Sequence, residues 1–271
     1  METLKFKVLY LGRSEHEKHK LVRTEDLTEQ IKSPRFAVLV QHPDKGNILI
    51  DTGDSRNMNE IHSVEIDELY PTMEFIPIDQ ALEKEGLQLD DIDQIIITHL
   101  HYDHVGGLPD FIGKKAAKNV IVSEPEARDV FYQTIVDPAK LSHAYIPALY
   151  AGLEGVSYYP IKNVYEYADG ISLFVQNAHT AGVIGIILRL QGGGSAIFSS
   201  DTLYTRDSFY KGLPPTGALF NSDDEFFEQL NAIKKIKDTE NGEILFGHDY
   251  EQVKKLETLG WISNISQIRG L

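Results

Sequence analysis

Metal-binding side chains are concentrated in one short segment that follows a strongly apolar run. Residues 99–104 read His-Leu-His-Tyr-Asp-His, and the run Gln-Ile-Ile-Ile-Thr comes directly before them. Such a run is typical of a buried strand, whose end fixes where the next loop begins. The spacing lets His99 and His101 face one metal ion while Asp103 and His104 turn to a neighbouring one. Ordinary loop residues are the alternative, but this density of ligand types favours a metal site.

Three more candidate ligands lie where other apolar runs end. His179, Asp201 and His248 each follow a run that is typical of a buried strand. Each alone could be a polar strand end or a helix cap, but their joint recurrence favours ligands, because strand ends bring side chains together at a cleft. The remaining histidines are expected to lie on the surface and bind nothing: His16, His19, His42, His62 and His143.

With these residues in view, the chain resembles the metallo-β-lactamase superfamily of hydrolases, whose signature is His-x-His-x-Asp-His followed by a distant His, Asp and His. Asp51-Thr-Gly also resembles an early turn of that family, in which the aspartate supports the ligand loop from behind. For this tripeptide alone, a common strand-to-loop turn is the alternative. The resemblance covers roughly residues 35–250. It implies an α/β fold, the αββα sandwich of two mixed β-sheets with helices on the outer faces.

The resemblance also implies two divalent metal ions. It assigns them two sets of three ligands and one bridging residue: His99, His101 and His179; Asp103, His104 and His248; and Asp201 as the bridge. Imidazole and carboxylate ligands suit zinc, with iron, manganese or cobalt as alternatives. The chain has no cysteine, which excludes the thiolate-bearing variants of the family and any disulfide framework.

Within the superfamily, the chain most resembles the N-acyl-homoserine lactonases, which are quorum-quenching enzymes. Tyr204 lies three residues after Asp201, and in those enzymes a tyrosine at this offset leans over the metals and contacts the substrate carbonyl. One departure is that the family usually has Pro-Gly before and soon after its third histidine. Around His179 the chain reads Asn-Ala-His-Thr-Ala-Gly, so both prolines are missing. This departure bears on substrate preference rather than on metal binding.

A mechanism follows from the charges that this reading implies. Two divalent cations outweigh Asp103, Asp201 and one bridging hydroxide, so the site carries net positive charge and favours oxyanions. The metal-bridging hydroxide would attack the lactone carbonyl, and Tyr204 and one metal would stabilise the oxyanion. Asp103 carries the proton to the leaving alkoxide. Asp103 and Tyr204 are therefore the predicted catalytic residues, and Asp51 the predicted support of the ligand loop.

Two other functional classes stay open. A glyoxalase-II-like thioesterase, or another small-ester metallohydrolase, would use the same metals. Recognition of glutathione carboxylates usually needs a basic patch, and no such cluster is evident in the sequence. An inactive metal-containing protein that binds a small ligand is the non-enzyme alternative, which the full ligand set together with Tyr204 disfavours.

Composition narrows the list of partners. A net charge of −15 argues against binding a nucleic-acid backbone, which would need a basic face. No stretch of eighteen apolar residues occurs, and the opening residues lack the basic-then-apolar form of a signal peptide. We expect a soluble, cytoplasmic protein without membrane contact that acts on a small lactone or ester, and a homodimer remains open. Its 271 residues are expected to form one domain.

Periodicity predicts the main elements. Strands are expected at 6–11, 36–41, 48–50, 94–98, 120–122, 171–175, 184–190 and 196–199, and helices at 79–86, 108–112 and 223–237, the last capped near Ser222. Residues 131–160 and 204–220 are aromatic and broken by proline or glycine, which favours a substrate pocket or, equally, an ordinary satellite core. The charged residues 13–32 are expected to form a solvated loop or an exposed helix.

Overall fold

The computed structural model describes residues 4–216 and 222–271, and its larger sheet has seven strands. In spatial order they are β4 (Thr72–Phe75), β1 (Lys5–Glu17), β2 (Gln30–His42), β3 (Gly46–Ile50), β5 (Gln94–Ile96), β6 (Val120–Ser123) and β7 (Tyr158–Ile161). The β4–β1, β1–β2 and β2–β3 pairs are antiparallel, whereas the β3–β5, β5–β6 and β6–β7 pairs are parallel. The sheet is therefore mixed.

A second sheet has five strands and is also mixed. Its spatial order is β12 (Glu243–Phe246), β11 (Gly194–Ser200), β10 (Val183–Leu190), β9 (Ile171–Gln176) and β8 (Val164–Ala168). Only the β11–β12 pair is parallel. The predicted strands are confirmed to within a few residues, apart from the first two, which are much longer than expected.

The two sheets share one apolar layer. Val38 and Val40 of β2 pack in the same buried cluster as Ile184, Ile186 and Leu188 of β10. Successive side chains of a strand point to opposite faces, so the alternate residues of β2 pack on the other side, against helices. The predicted αββα sandwich is thus confirmed.

Helices cover both outer faces. They are α1 (Met58–Ile61), α2 (Val64–Leu69), α3 (Ile78–Glu83), α4 (Tyr102–Val105), α5 (Glu124–Val136), α6 (Arg206–Tyr210), α7 (Asp223–Thr239) and α8 (Tyr250–Leu259). As predicted, α7 begins after Ser222, whose hydroxyl accepts a hydrogen bond from the Glu225 amide. The predicted helix at 108–112 is a short 3-10 turn instead. Over the described residues, no helix is both long and apolar enough to cross a lipid bilayer.

The prediction of a solvated loop or exposed helix for residues 13–32 was wrong at both ends of the segment. Residues 13–17 and 30–32 extend β1 and β2 into a long hairpin, with Ser14 opposite Ser33 and His16 opposite Ile31. Residues 23–29 form a largely exposed loop, as predicted. Ser14 and His16 are buried, whereas the charged residues between and beside them are partly exposed. The charged positions suggested full solvation, but their alternation with inward-facing residues is the two-residue repeat of a strand that is covered on one face.

The prediction that five histidines are unbound surface residues was also wrong for three of them. His16 and His42 are buried, and His42 Nε2 lies 2.8 Å from the carbonyl oxygen of Asp169. The side chain of His62 is 1% exposed, with Nε2 3.0 Å from Asp54 Oδ1. Long-range packing covers these residues, which local sequence does not reveal. His143 is exposed and pairs with Glu65 at 2.7 Å.

Candidate metal centre

The candidate metal centre lies where strands of both sheets end. The segment 99–104 follows β5 of the larger sheet. In the smaller sheet, His179 follows β9, Asp201 follows β11 and His248 follows β12. Backbone groups join the two sheets at this edge, since the Ile184 amide of β10 donates to the carbonyl oxygen of Thr98 at 2.8 Å.

Three imidazoles converge at one side of the centre. His99 Nε2 lies 3.1 Å from His101 Nδ1 and 3.2 Å from His179 Nε2, and the last two atoms are 3.0 Å apart. All three side chains are buried. Burial and the neighbouring imidazoles lower the pKa values of His99 and His101 well below the usual range. These rings are therefore neutral at pH 7, with nitrogen lone pairs available to a cation.

A second group forms beside the first. Asp103, His104 and His248 offer ligand atoms that all lie within 4.8 Å of one another. The Asp103 carboxylate is 3.9 Å from His104 Nε2 and 3.8 Å from His248 Nε2. Burial alone would lower the pKa of His104, but the carboxylates of Asp201, Asp103 and Asp51 raise it well above its usual value.

Asp201 lies between the two groups. Its Oδ1 is 3.3 Å from His104 Nε2, and its Oδ2 is 3.2 Å from His248 Nε2 and 3.6 Å from His179 Nε2. Burial would raise the pKa of this carboxyl, but His248 and His104 hold it well below its usual range. Asp201 is thus ionised and adjacent to donor atoms of both groups.

The donor set fits divalent metal ions. His104 Nε2 and Asp201 Oδ1 are buried and close together, yet neither makes a hydrogen bond to any described residue. Such orphaned polar atoms are costly unless another group satisfies them, and a cation between them would do so. Imidazole nitrogens and carboxylate oxygens without thiolates are ligands that zinc accepts. The structure brings together all seven residues that the sequence singled out.

Asp51 supports the ligand loop from the end of β3. Its backbone adopts a left-handed conformation (φ 59°), and its carboxylate accepts hydrogen bonds from the Thr98 amide at 2.7 Å and the Thr98 hydroxyl at 2.9 Å. The same carboxylate lies 2.8 Å from His104 Nδ1. When Nδ1 donates this bond, Nε2 is left to face the metal centre.

Tyr204 contacts the centre through His179. Its hydroxyl oxygen is 3.0 Å from His179 Nδ1, on the far side of the ring from the nitrogen that faces the other imidazoles. Burial raises the pKa of Tyr204 well above its usual value, so the phenol stays protonated. It lines a cavity together with Asp103, Asp201 and His248.

Two loops of the centre are joined by a residue that the sequence analysis missed. Glu126, fully buried in α5, accepts hydrogen bonds from the Leu100 amide and the Tyr145 hydroxyl, both at 3.1 Å. The Tyr145 ring packs edge-on against the ring of His101, with centroids 4.4 Å apart. Burial raises the pKa of Glu126 to about 7. The sequence feature that could have indicated Glu126 is the helix cap Ser123, whose hydroxyl accepts a hydrogen bond from the Glu126 amide.

The cavity draws on both predicted pocket segments and on a third that was not predicted. Ala144 comes from segment 131–160 and Tyr204 from segment 204–220, although residues 217–221 lie outside the described ranges. Ser14, Leu21 and Ser33 come from the β1–β2 hairpin. The hairpin was missed because its charged residues dominate the sequence there.

Comparison with known proteins identifies the class to which this fold and donor set belong. The chain belongs to the metallo-beta-lactamase superfamily, whose family model matches residues 32–248. The superfamily fold and the His/Asp clusters together imply divalent metal binding. More particularly, the chain is 29% identical over 233 residues to an N-acyl homoserine lactonase of a Bacillus species, covering 83% of this chain and 84% of that protein. It is also 29% identical over 220 residues to the N-acyl homoserine lactonase AiiA of Bacillus thuringiensis subsp. kurstaki, covering 78% of this chain and 80% of that one.

Solved structures of lactonases share the fold. An N-acyl homoserine lactone hydrolase with the product N-hexanoyl-L-homoserine at its catalytic metal centre superposes with a TM-score of 0.75 at 22% identity, covering 94% of this chain and 96% of that one. The dizinc quorum-quenching lactonase AidC superposes with a TM-score of 0.67 at 16% identity, covering 92% and 90%.

Asp51→Asn tests whether the carboxylate behind His104 tunes the centre. Asparagine tolerates the left-handed backbone, but its NH2 group accepts no hydrogen bond, so the acceptor oxygens for Thr98 and His104 fall from two to one. We expect zinc affinity to fall by roughly ten- to a hundredfold, as is typical when a hydrogen-bond partner of a metal ligand is lost. Competition with a zinc indicator measures the change, and Asp44→Asn, at an exposed position, is the matched control. Unchanged affinity in Asp51→Asn would refute the role.

Proposed function

We propose that this protein is a dinuclear metal-dependent hydrolase that opens the ring of N-acyl-homoserine lactones or similar lactones. The observation that carries the proposal is a complete set of seven histidine and aspartate donors beside a cavity that also contains the Tyr204 phenol. Similarity to N-acyl homoserine lactonases over most of both chains supports the same activity. The larger sheet comes from residues 5–161 and the smaller from residues 164–246, but both pack in one buried cluster, which supports a single domain.

We assign the ligands as two groups with a shared carboxylate. We choose zinc for both ions. The first group would hold one ion through His99, His101 and His179. The second group would hold the other through Asp103, His104 and His248, and Asp201 would bridge the two ions. Three-residue groups of donor atoms within 4.8 Å of one another support this division. The position of Asp201 within 3.8 Å of nitrogens from both groups supports the bridge.

Within this assignment, bound divalent ions supply Lewis acidity and lower the pKa of water to about 7. Asp103 lies at the border of the cavity and is less buried than Asp201, so its carboxylate can reach a substrate. We assign it the transfer of a proton from the hydroxyl group that adds to the carbonyl to the oxygen that leaves when the ring opens, so the carboxylate is regenerated in each turnover.

Tyr204 acts as the oxyanion donor in this proposal. Its oxygen accepts the Nδ1–H of His179, so its own hydrogen remains free to point into the cavity. A donor fixed in this way stabilises the charge that develops on the attacked carbonyl oxygen more than it stabilises the neutral carbonyl. The same contact also holds the tautomer of His179 whose Nε2 faces the metal.

The thioesterase alternative is less well supported. Recognition of a glutathione thioester calls for several cationic groups around the entrance. Among the described residues that line the cavity, Arg35 is the only lysine or arginine. Leu21, Ala144 and the rings of three tyrosines make the rest of the wall largely apolar, which suits an acyl chain.

A substrate panel tests the proposed activity directly. The purified zinc-loaded protein is assayed on N-hexanoyl-homoserine lactone, a glutathione thioester and a phosphodiester. We expect the acyl lactone to have the highest kcat/KM, because its apolar chain matches the cavity wall and the described part of that wall contains no basic cluster. If either other substrate is turned over much faster than every acyl lactone tried, the lactonase assignment fails and only a metallohydrolase remains.

Metal analysis of two variants tests the ligand assignment. The wild-type protein should carry close to two ions, and His179→Ala should lose one of them because it removes a ligand from the first group. Asp201→Ala should weaken both sites, since the bridge touches each ion. Elemental analysis after dialysis measures the content, and His143→Ala removes an exposed histidine as the matched control. Equal metal content in all four proteins would overturn the assignment.

Tyr204→Phe isolates the oxyanion donor. The change removes the hydroxyl and keeps the ring, so kcat should fall roughly ten- to a thousandfold, the loss associated with one well-placed oxyanion donor. Metal content should stay unchanged at saturating zinc. Steady-state kinetics on N-hexanoyl-homoserine lactone measure the loss, with the exposed Tyr210→Phe as control. Wild-type kcat and KM in Tyr204→Phe would mean that the hydroxyl has a packing role alone.

A further inference from the structure

A buried arginine lies in the wall of the cavity beside the metal centre. We propose that Arg35 recognises the substrate by donating a hydrogen bond to the amide carbonyl oxygen of the N-acyl group, and so distinguishes N-acyl lactones from lactones without an amide. The inference rests on the proposed function and assigns a specificity residue to it. No catalytic step is required of Arg35.

Burial makes the position of Arg35 unusual. It precedes the apolar run of β2, and its side chain is 3% exposed. Its guanidinium donates to the Thr72 hydroxyl at 3.1 Å and to the Tyr102 hydroxyl at 3.4 Å. Asp54 Oδ2 is 3.5 Å from Nε, and this oxygen makes no hydrogen bond to any residue in the described ranges.

These contacts leave donors unused. A guanidinium has five N–H groups in a planar fork, and the hydrogen bonds described for Arg35 engage two of them. Buried polar hydrogens without acceptors cost free energy, so such a group is expected where a ligand or water supplies the missing acceptor. The remaining N–H groups can donate to an oxygen atom of a ligand in the cavity.

The unused donors belong to a residue that borders the reaction site. Arg35 lines the cavity that contains Tyr204, Asp103 and Asp201, and it also lines the adjoining space beneath Asp103 and His104. In an N-acyl-homoserine lactone, only the α-carbon and the amide nitrogen separate the acyl carbonyl from the ring carbonyl. The proposed contact requires the amide oxygen to reach Arg35 across this cavity when the ring carbonyl lies at the metal centre.

Charge decides which kind of oxygen fits. Asp54 already compensates the positive charge of Arg35, and Asp54 is in turn 3.0 Å from His62 Nε2. A neutral carbonyl oxygen adds an acceptor without adding charge, whereas an anionic group would add a second negative charge beside Asp54. The geometry therefore favours an amide carbonyl over an anionic substrate group.

The test compares two lactones that differ in the amide. N-Hexanoyl-homoserine lactone has the carbonyl acceptor, and γ-decalactone carries an alkyl chain without it. Arg35→Met removes the donors and keeps an apolar chain of similar length. We expect kcat/KM on the acyl lactone to fall roughly ten- to a hundredfold, which is the usual effect of losing a hydrogen bond to a charged group. On γ-decalactone the value should change by no more than about twofold.

Two further variants keep the result interpretable. Arg35→Lys retains a cation opposite Asp54 if Arg35→Met fails to fold, and it should show a smaller loss in the same direction. Thr72→Val removes a contact of Arg35 at a residue outside the cavity wall, and it should leave the ratio of the two kcat/KM values unchanged. Metal content and melting temperature are measured for each variant.

The outcomes separate the two proposals. A selective loss on the acyl lactone in Arg35→Met or Arg35→Lys supports the assignment. Equal losses on both lactones, or no loss on either, overturn it, since the arginine would then be structural. If the wild-type protein hydrolyses neither lactone, the proposed function itself fails and the inference fails with it.

Discussion

The structure depends on burying seven nitrogen and oxygen donors side by side at one edge of a sandwich. Leaving a buried polar group unsatisfied costs about 1–3 kcal/mol, and a whole domain is stable by only about 5–15 kcal/mol. Several such groups without a partner would therefore consume most of the stability of the fold. Bound cations would satisfy these buried donors together. His104 Nε2 and Asp201 Oδ1, which make no hydrogen bond to a described residue, mark where a cation is needed.

The arrangement of the sheets follows from this requirement. The ligand loop after β5 and the single ligands after β9, β11 and β12 reach one edge because strands from both sheets end there. Asp51 holds the loop through Thr98 and His104, and the Thr98 hydroxyl in turn accepts a hydrogen bond from Ser200 at 3.1 Å. Contacts behind the ligands thus run continuously from the larger sheet to the smaller one.

The sequence singled out the seven residues that the fold brings together, because each has distinctive chemistry and comes after a strand. The sandwich was also predicted, through family resemblance and the apolar runs. The strand ends at residues 13–17 and 30–32 were not, since charged side chains at alternate positions hide a strand whose other face is buried. Arg35 could not be found either, because a shift of one residue in strand register decides which face a side chain joins. The contact between Tyr204 and His179 joins residues that follow different strands, and only the fold brings them together.

The division of the ligands between the sheets has a consequence for folding. Four of the seven donors follow a strand of the larger sheet and three follow strands of the smaller, and His99 and His248 are separated by more than half of the chain. A cation shared between them acts as a cross-link that the unfolded chain lacks, and this chain has no cysteine with which to form a covalent one. Because metal binding favours the folded state over the unfolded state, the free energy of unfolding increases with the free metal concentration. The metal ions would then hold the two sheets of the sandwich together.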